Sequence, residues 1–160
     1  MFFLQGIISG LIATFLFDLY QISLSYAYNI NKPKWNLVGR YFIGITKKNY
    51  FIENIESEKE ITNELIIGYI IHYLIGLIFG AIYLLINKLL YVEPSIILAL
   101  IIGFITVLGS WCIMMPLAYN MGFFASKKEE QKQIMVQNLI AHFIFGIGLY
   151  LGYVVCKYFL

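Results

Sequence analysis

Three ionisable side chains stand inside stretches that otherwise read as lipid-soluble: Asp18, His72 and His142. A charge at the centre of a bilayer costs at least a few kcal/mol, so such groups mark proton relays, solute pathways, metal sites or bonds between helices. With Asp18 as proton carrier and His72 and His142 as relay or gate, the set would serve a proton-linked or small polar-solute transporter. Four helices leave little room for an alternating-access cavity, so transport would call for a homodimer, its small-molecule substrate unknown. The same histidines could ligate one haem axially, or join Asp18 as a 2-His-1-carboxylate metal set. Zinc hydrolysis would need an open coordination position as well. Against these stands a plainer alternative, in which the acid and imidazoles only fasten helices, at about 1–2 kcal/mol per bond. The protein would then be a non-catalytic scaffold or accessory subunit.

What would position these groups is a set of small-residue ridges. Gly6, Gly10, Thr14 and Asp18 recur every four residues and form one helical ridge, slipping by about 40° per step. His72, Gly76 and Gly80 form a second, and His142 and Gly146 a third. Lipid tails are as apolar as leucine, so membrane helices associate through close packing of small residues. Thr14, Gly76 and Gly146 therefore support the three ionisable groups, which face helix contacts rather than lipid. At 1.5 Å per residue all three lie some 12–17 Å deep, near the midplane of a core about 30 Å thick. Equal depth predicts one three-residue site.

The elements behind the ridges are membrane spans. The chain has 160 residues, 61% hydrophobic and 12% charged, with a mean hydropathy of +0.79. Soluble domains are about half apolar and a quarter charged, so this reads as a polytopic, all-α membrane protein forming a single transmembrane domain. Four runs are long enough to cross: about Phe2–Tyr28, Glu64–Leu90, Ser95–Tyr119 and Ile134–Tyr158. Pro116 breaks the inner end of the third. The N-terminus lacks the basic start of a removable signal peptide. Cys112 and Cys156 fall at very different depths and read as apolar fillers rather than a bridge. No basic patch suggests nucleic acid.

Lys32, Lys34, Arg40, Lys47, Lys48 and Lys59 lie in the first loop (29–63) and Lys127, Lys128 and Lys132 in the third (120–133), against Lys88 and Lys157 opposite. The positive-inside rule makes both long loops cytoplasmic and both termini external. Within the first loop, Trp35 to Gly44 is amphiphilic and too short to span. It predicts a short interfacial helix with Trp35 and Tyr41 at headgroup level. The run Glu53, Glu56, Glu58, Lys59, Glu60 and Glu64 reads as a solvated lead-in to the second span, with Thr62 as its cap.

An internal echo links the halves. Ile71-His72-Tyr73-Leu74-Ile75-Gly76 resembles Ala141-His142-Phe143-Ile144-Phe145-Gly146, 70 residues later, and Ala27-Tyr28-Asn29 matches Ala118-Tyr119-Asn120. The match is short, so two parallel two-helix repeats and a chance echo are equally supported.

Four motifs in order, Gly10 to Tyr20, Trp35-Asn36-Leu-Val-Gly-Arg40-Tyr41, Gly68 to Gly76 and Ala141 to Tyr150, resemble the small bacterial membrane proteins catalogued as domain of unknown function 2938. The resemblance covers nearly the whole chain and implies a four-helix protein of the bacterial inner (plasma) membrane. It singles out Trp35, Asn36 and Arg40 in the loop and implies no activity or cofactor. Met115 and Lys128-Glu129 depart from the family pattern. The chain holds no GxxxxGK[ST], HExxH, GxSxG or CxxCH motif, which argues against recognised enzyme chemistry.

Overall fold

The computed structural model describes residues 2–50, 52 and 54–159. In chain order these form α1 (Phe2–Tyr28), the short α2 (Trp35–Thr46), α3 (Glu64–Leu89), α4 (Ile96–Gly109), a π-helical stretch Ser110–Ala118, a 3₁₀ turn Phe123–Ala125 and α5 (Gln131–Phe159). Four helices are long and apolar enough to cross a membrane, with α4 and the π-helical stretch counting as one. The protein is a multi-pass, all-α membrane protein. Phe3, Ile7, Leu11, Phe15 and Leu19 stay exposed at four-residue spacing, a lipid-facing stripe on α1. The chain folds as two compact units.

The first unit takes residues up to Lys32, Tyr73–Thr106 and residues from Leu139 onward. Here α1 uses two ridges. Gly6 and Gly10 lie against Ala81, Gly76 and Gly80 of α3, and Thr14 against Gly76. Ser9 and Ala13 meet Gly152 and Gly148 of α5, and one turn on the Phe17 ring meets the edge of His142 at 5.3 Å. Residue numbers rise along α1 as they fall along α3 and α5, so both neighbours run antiparallel to it. On α5, Gly146 packs on Ala99 and Leu100 of α4, again antiparallel. A Cβ at Gly10 would stand 2.5 Å from the Gly76 carbonyl oxygen, so only glycine lets these backbones approach. In the connection from α3 to α4, Tyr83 donates to the Ser95 carbonyl (3.1 Å) and Tyr153 of α5 donates to Glu93 (2.6 Å).

The second unit takes Pro33–His72 and Val107–Asn138. Its core is Leu37, Val38 and Tyr41 of α2 with Ile55 and Ala118. Tyr41 is thus a buried core residue. Trp35 reaches further along α3. It packs on His72, eight residues into α3, while Arg40 pairs with Glu64 at its start. So α2 runs antiparallel along the first turns of α3, and Trp35 reaches roughly 12 Å beyond Glu64 at 1.5 Å per residue. The break expected at Pro116 is also absent, because the helix continues through it to Ala118 in wider π turns. Missing its N–H, a proline is tolerated where the hydrogen-bond ladder is already re-registered. The two Ala-Tyr-Asn sequences end helices in the same way, with Asn29 at φ 54° and Asn120 at φ 51°. Left-handed asparagine is a standard helix stop.

Candidate functional site

The densest polar site joins α2 to α3. Arg40, on the face of α2 that Leu37, Val38 and Tyr41 bury, is 3% exposed, and Glu64, the first residue of α3, is 8% exposed. The guanidinium donates from Nε to Glu64 Oε2 and from Nη2 to Oε1, each at 2.7 Å, a two-pronged pair. Its Nη1 donates to the carbonyls of Ile55 and Glu58, both at 2.8 Å. The carboxylate also accepts from Asn36 Nδ2 (3.2 Å) and from the backbone N–H of Ile61 (2.9 Å). That last bond ties the carboxylate to the chain that leads into α3. The Glu64 hydrogen bond holds the Arg40 guanidinium above its already high range. Buried pairs of opposite charge persist only when their remaining hydrogen-bond capacity is filled. Here each group makes four bonds.

The histidines are placed differently. On α5, His142 Nδ1 lies 2.8 Å from Thr106 Oγ1 of α4. Thr106 gives its single hydroxyl proton to the Gly103 carbonyl at 2.7 Å. His142 Nδ1 is therefore the donor, which selects the Nδ1–H tautomer. His72 stacks on the Trp35 indole with ring centroids 3.9 Å apart and planes 22° apart. Asp18 is half-buried one turn beyond Thr14, whose own hydroxyl donates to the Gly10 carbonyl at 2.8 Å. Gly76 and Gly146, the glycines four residues after each histidine, lie against Thr14 and against Ala99 with Leu100.

These positions overturn the single Asp18/His72/His142 cluster and the transport reading built on it. Among the described residues no three His, Cys, Asp or Glu side chains come together to hold a metal ion. The polar links between helices are dispersed instead. The 2-His-1-carboxylate metal reading falls with the cluster, since it needed its three ligands gathered at one point. Equal depth specifies a level in the membrane but not a direction around each helix, and direction is what brings side chains together.

A family model described as "Protein of unknown function (DUF2938)" matches residues 7–156. The chain belongs to this family. The family is found in bacteria, and the matched region includes nearly all of the four spans and the whole of α2. No curated protein and no solved structure matches the chain. Membership therefore brings no chemistry of its own, and the function has to be read from the contacts.

Two participants were missed from sequence. Glu64 was grouped with the solvated charged run, yet it is the partner of Arg40; its place as the first residue of an apolar helix, three after Ile61, was the available signal. Glu53 of that run lies outside the described residues. The second is Thr106, which accepts the His142 bond. Four further buried polar atoms, Ser9 Oγ, Asn87 Oδ1, Trp111 Nε1 and Asn138 Oδ1, have no hydrogen-bond partner among the described residues.

Proposed function

We propose that the protein is a non-catalytic membrane scaffold or accessory subunit, a single transmembrane domain in which intramembrane polar groups hold helices in place. One observation carries the reading: the best-connected buried polar contacts tie one helix to another. Arg40 and Glu64 join α2 to α3 through a two-pronged pair with further bonds on each side, and His142 and Thr106 join α5 to α4. Asp18 belongs to the same class of fastener, at the end of the α1 ridge that meets α3. In proteoliposomes, Asp18→Asn should leave proton permeability at the wild-type value while the purified variant melts earlier in detergent. A proton flux lost in Asp18→Asn, with melting unchanged, would refute the fastening role.

As a scaffold the protein sits in the bacterial inner membrane, with the loops 29–63 and 120–133 in the cytoplasm as partner surfaces and both termini outside. The lysine and arginine bias of those loops supports this orientation. After Cys112→Ser and Cys156→Ser, a cysteine at Tyr91→Cys should react with an impermeant maleimide on spheroplasts. One at Lys127→Cys should react only after permeabilisation; the reverse pattern inverts the topology.

A further inference from the structure

From the geometry we infer that the second unit carries a binding site for a phosphate-bearing anion, in the cavity between the C-terminal end of α2 and Asn49, Ile52, Glu58, Lys59 and Ile61. This site is independent of the scaffold reading. The cavity has a volume of about 180 Å³ and is lined by Arg40, Gly44, Lys47, Asn49, Ile52, Glu58, Lys59 and Ile61. That is smaller than the roughly 300–1,000 Å³ typical of sites for drug-sized ligands, and suits one small charged group.

Its charge favours an anion. Arg40 forms the floor, but its guanidinium is committed to Glu64, Ile55 and Glu58. The available cations are Lys47 and Lys59, both exposed, with the Asn49 amide as a third donor. A helix C-terminus ordinarily repels anions through its free carbonyls. Here three of the last four carbonyls are occupied. Gly44 accepts from the N–H groups of Lys47 and Asn49 (both 2.9 Å), Ile45 from Lys48 (2.9 Å), and Ile43 from the Thr46 hydroxyl (2.7 Å). Among the described lining residues Glu58 is the one acid.

Position points the same way. The Arg40–Glu64 pair sets the floor of the cavity beside the first residue of an apolar span, the level at which lipid phosphates meet protein. A lipid headgroup and a free phosphate share the chemistry, so both are probed.

The full-length protein, purified in an uncharged detergent, is titrated calorimetrically with inorganic phosphate and with dioctanoyl phosphatidylglycerol; dioctanoylglycerol is the phosphate-free control. At least one phosphate probe should bind saturably at one equivalent, and the control should not. Lys47→Ala/Lys59→Ala should weaken binding at least tenfold with melting unchanged, because neither lysine supports another contact. Lys48→Asn removes an adjacent charge outside the cavity and suits the left-handed backbone there (φ 63°); it should stay within twofold of wild type. Glu58→Gln, which keeps the carbonyl that Arg40 uses, should tighten binding. Binding of phosphatidylglycerol alone identifies a headgroup site, and binding of phosphate as well identifies a free-anion site. No saturable binding of either probe overturns the inference. So does an unchanged double variant, or a loss in Lys48→Asn equal to that of the double variant.

Discussion

At the scale of single residues, the Arg40–Glu64 pair shows why a buried charge tolerates no partial satisfaction. Removing one member leaves the other desolvated and short of partners, which costs about 3–5 kcal/mol in buried pairs. Arg40→Ala and Glu64→Ala should each lose about that much in denaturant unfolding from micelles, and the double variant should lose clearly less than their sum. Additive losses would mean the two groups act separately. Arg40→Lys should behave more like the alanine variant than like wild type, since an ammonium cannot make both prongs and still reach Ile55 and Glu58. The His142–Thr106 bond is a smaller matter. Thr106→Val keeps the shape and deletes the acceptor, and should lower stability by about 0.6–2 kcal/mol, the range for hydrogen bonds between membrane helices. The exposed Lys34–Glu56 pair (2.7 Å) is smaller still, but it can be read by titration. The Lys34 hydrogen bond holds the Glu56 carboxyl below its usual 4.5. A depressed carboxylate stabilises above the unfolded value and loses that contribution as pH falls through the folded one. Carboxyl NMR should therefore place the Glu56 midpoint below 4.5, and Lys34→Ala should move it up.

Between elements, stability rests on how closely backbones approach, which can be tested by adding single carbons. Gly39 of α2 and Gly68 of α3 face each other: a Cβ on Gly39 would stand 2.8 Å from the Gly68 nitrogen, and one on Gly68 would stand 2.7 Å from the Trp35 carbonyl carbon. Neither obstacle is a flexible side-chain end, so Gly39→Ala must push α2 away from α3 and strain the Arg40–Glu64 bonds. Gly109, at the end of α4, is the opposite case, with nothing within 4 Å of an added Cβ. Gly109→Ala should raise stability by about 0.5–1 kcal/mol, the ordinary gain of alanine over glycine in a helix, whereas Gly39→Ala should lower the melting temperature. The Ala-Tyr-Asn helix ends and glycine ridges were legible in sequence because they are local patterns. The α2–α3 contact was not, because amphiphilicity says that a helix buries one face but not whether lipid or protein covers it.

For the molecule as a whole, apolar length and loop charge were enough to count the spans, since a bilayer imposes about 20 apolar residues on any crossing helix. They could not show which helix neighbours which, and that ignorance is where the three-residue cluster arose. The contacts of the first unit supply the order. α1 meets α3 through Gly6 and Gly10 and meets α5 through Ser9 and Ala13, so the first helix is the link between the early and late parts of the chain. Membrane helices are satisfied internally and insert before they pack, so the link should hold even when the chain is cut. Cutting between Val92 and Glu93 leaves α1, α2 and α3 on one fragment and α4 and α5 on the other, and both keep their own glycine contacts. Co-expressed, a tagged first fragment should retain the second through purification. Gly152→Leu should abolish that recovery, because a Cβ there already runs into the backbone of Ser9. Gly109→Ala, which touches nothing, should leave it intact. Recovery that survives Gly152→Leu would transfer the joining role from the α1–α5 ridge to the α3–α4 connection, where Tyr83 reaches Ser95 across the cut.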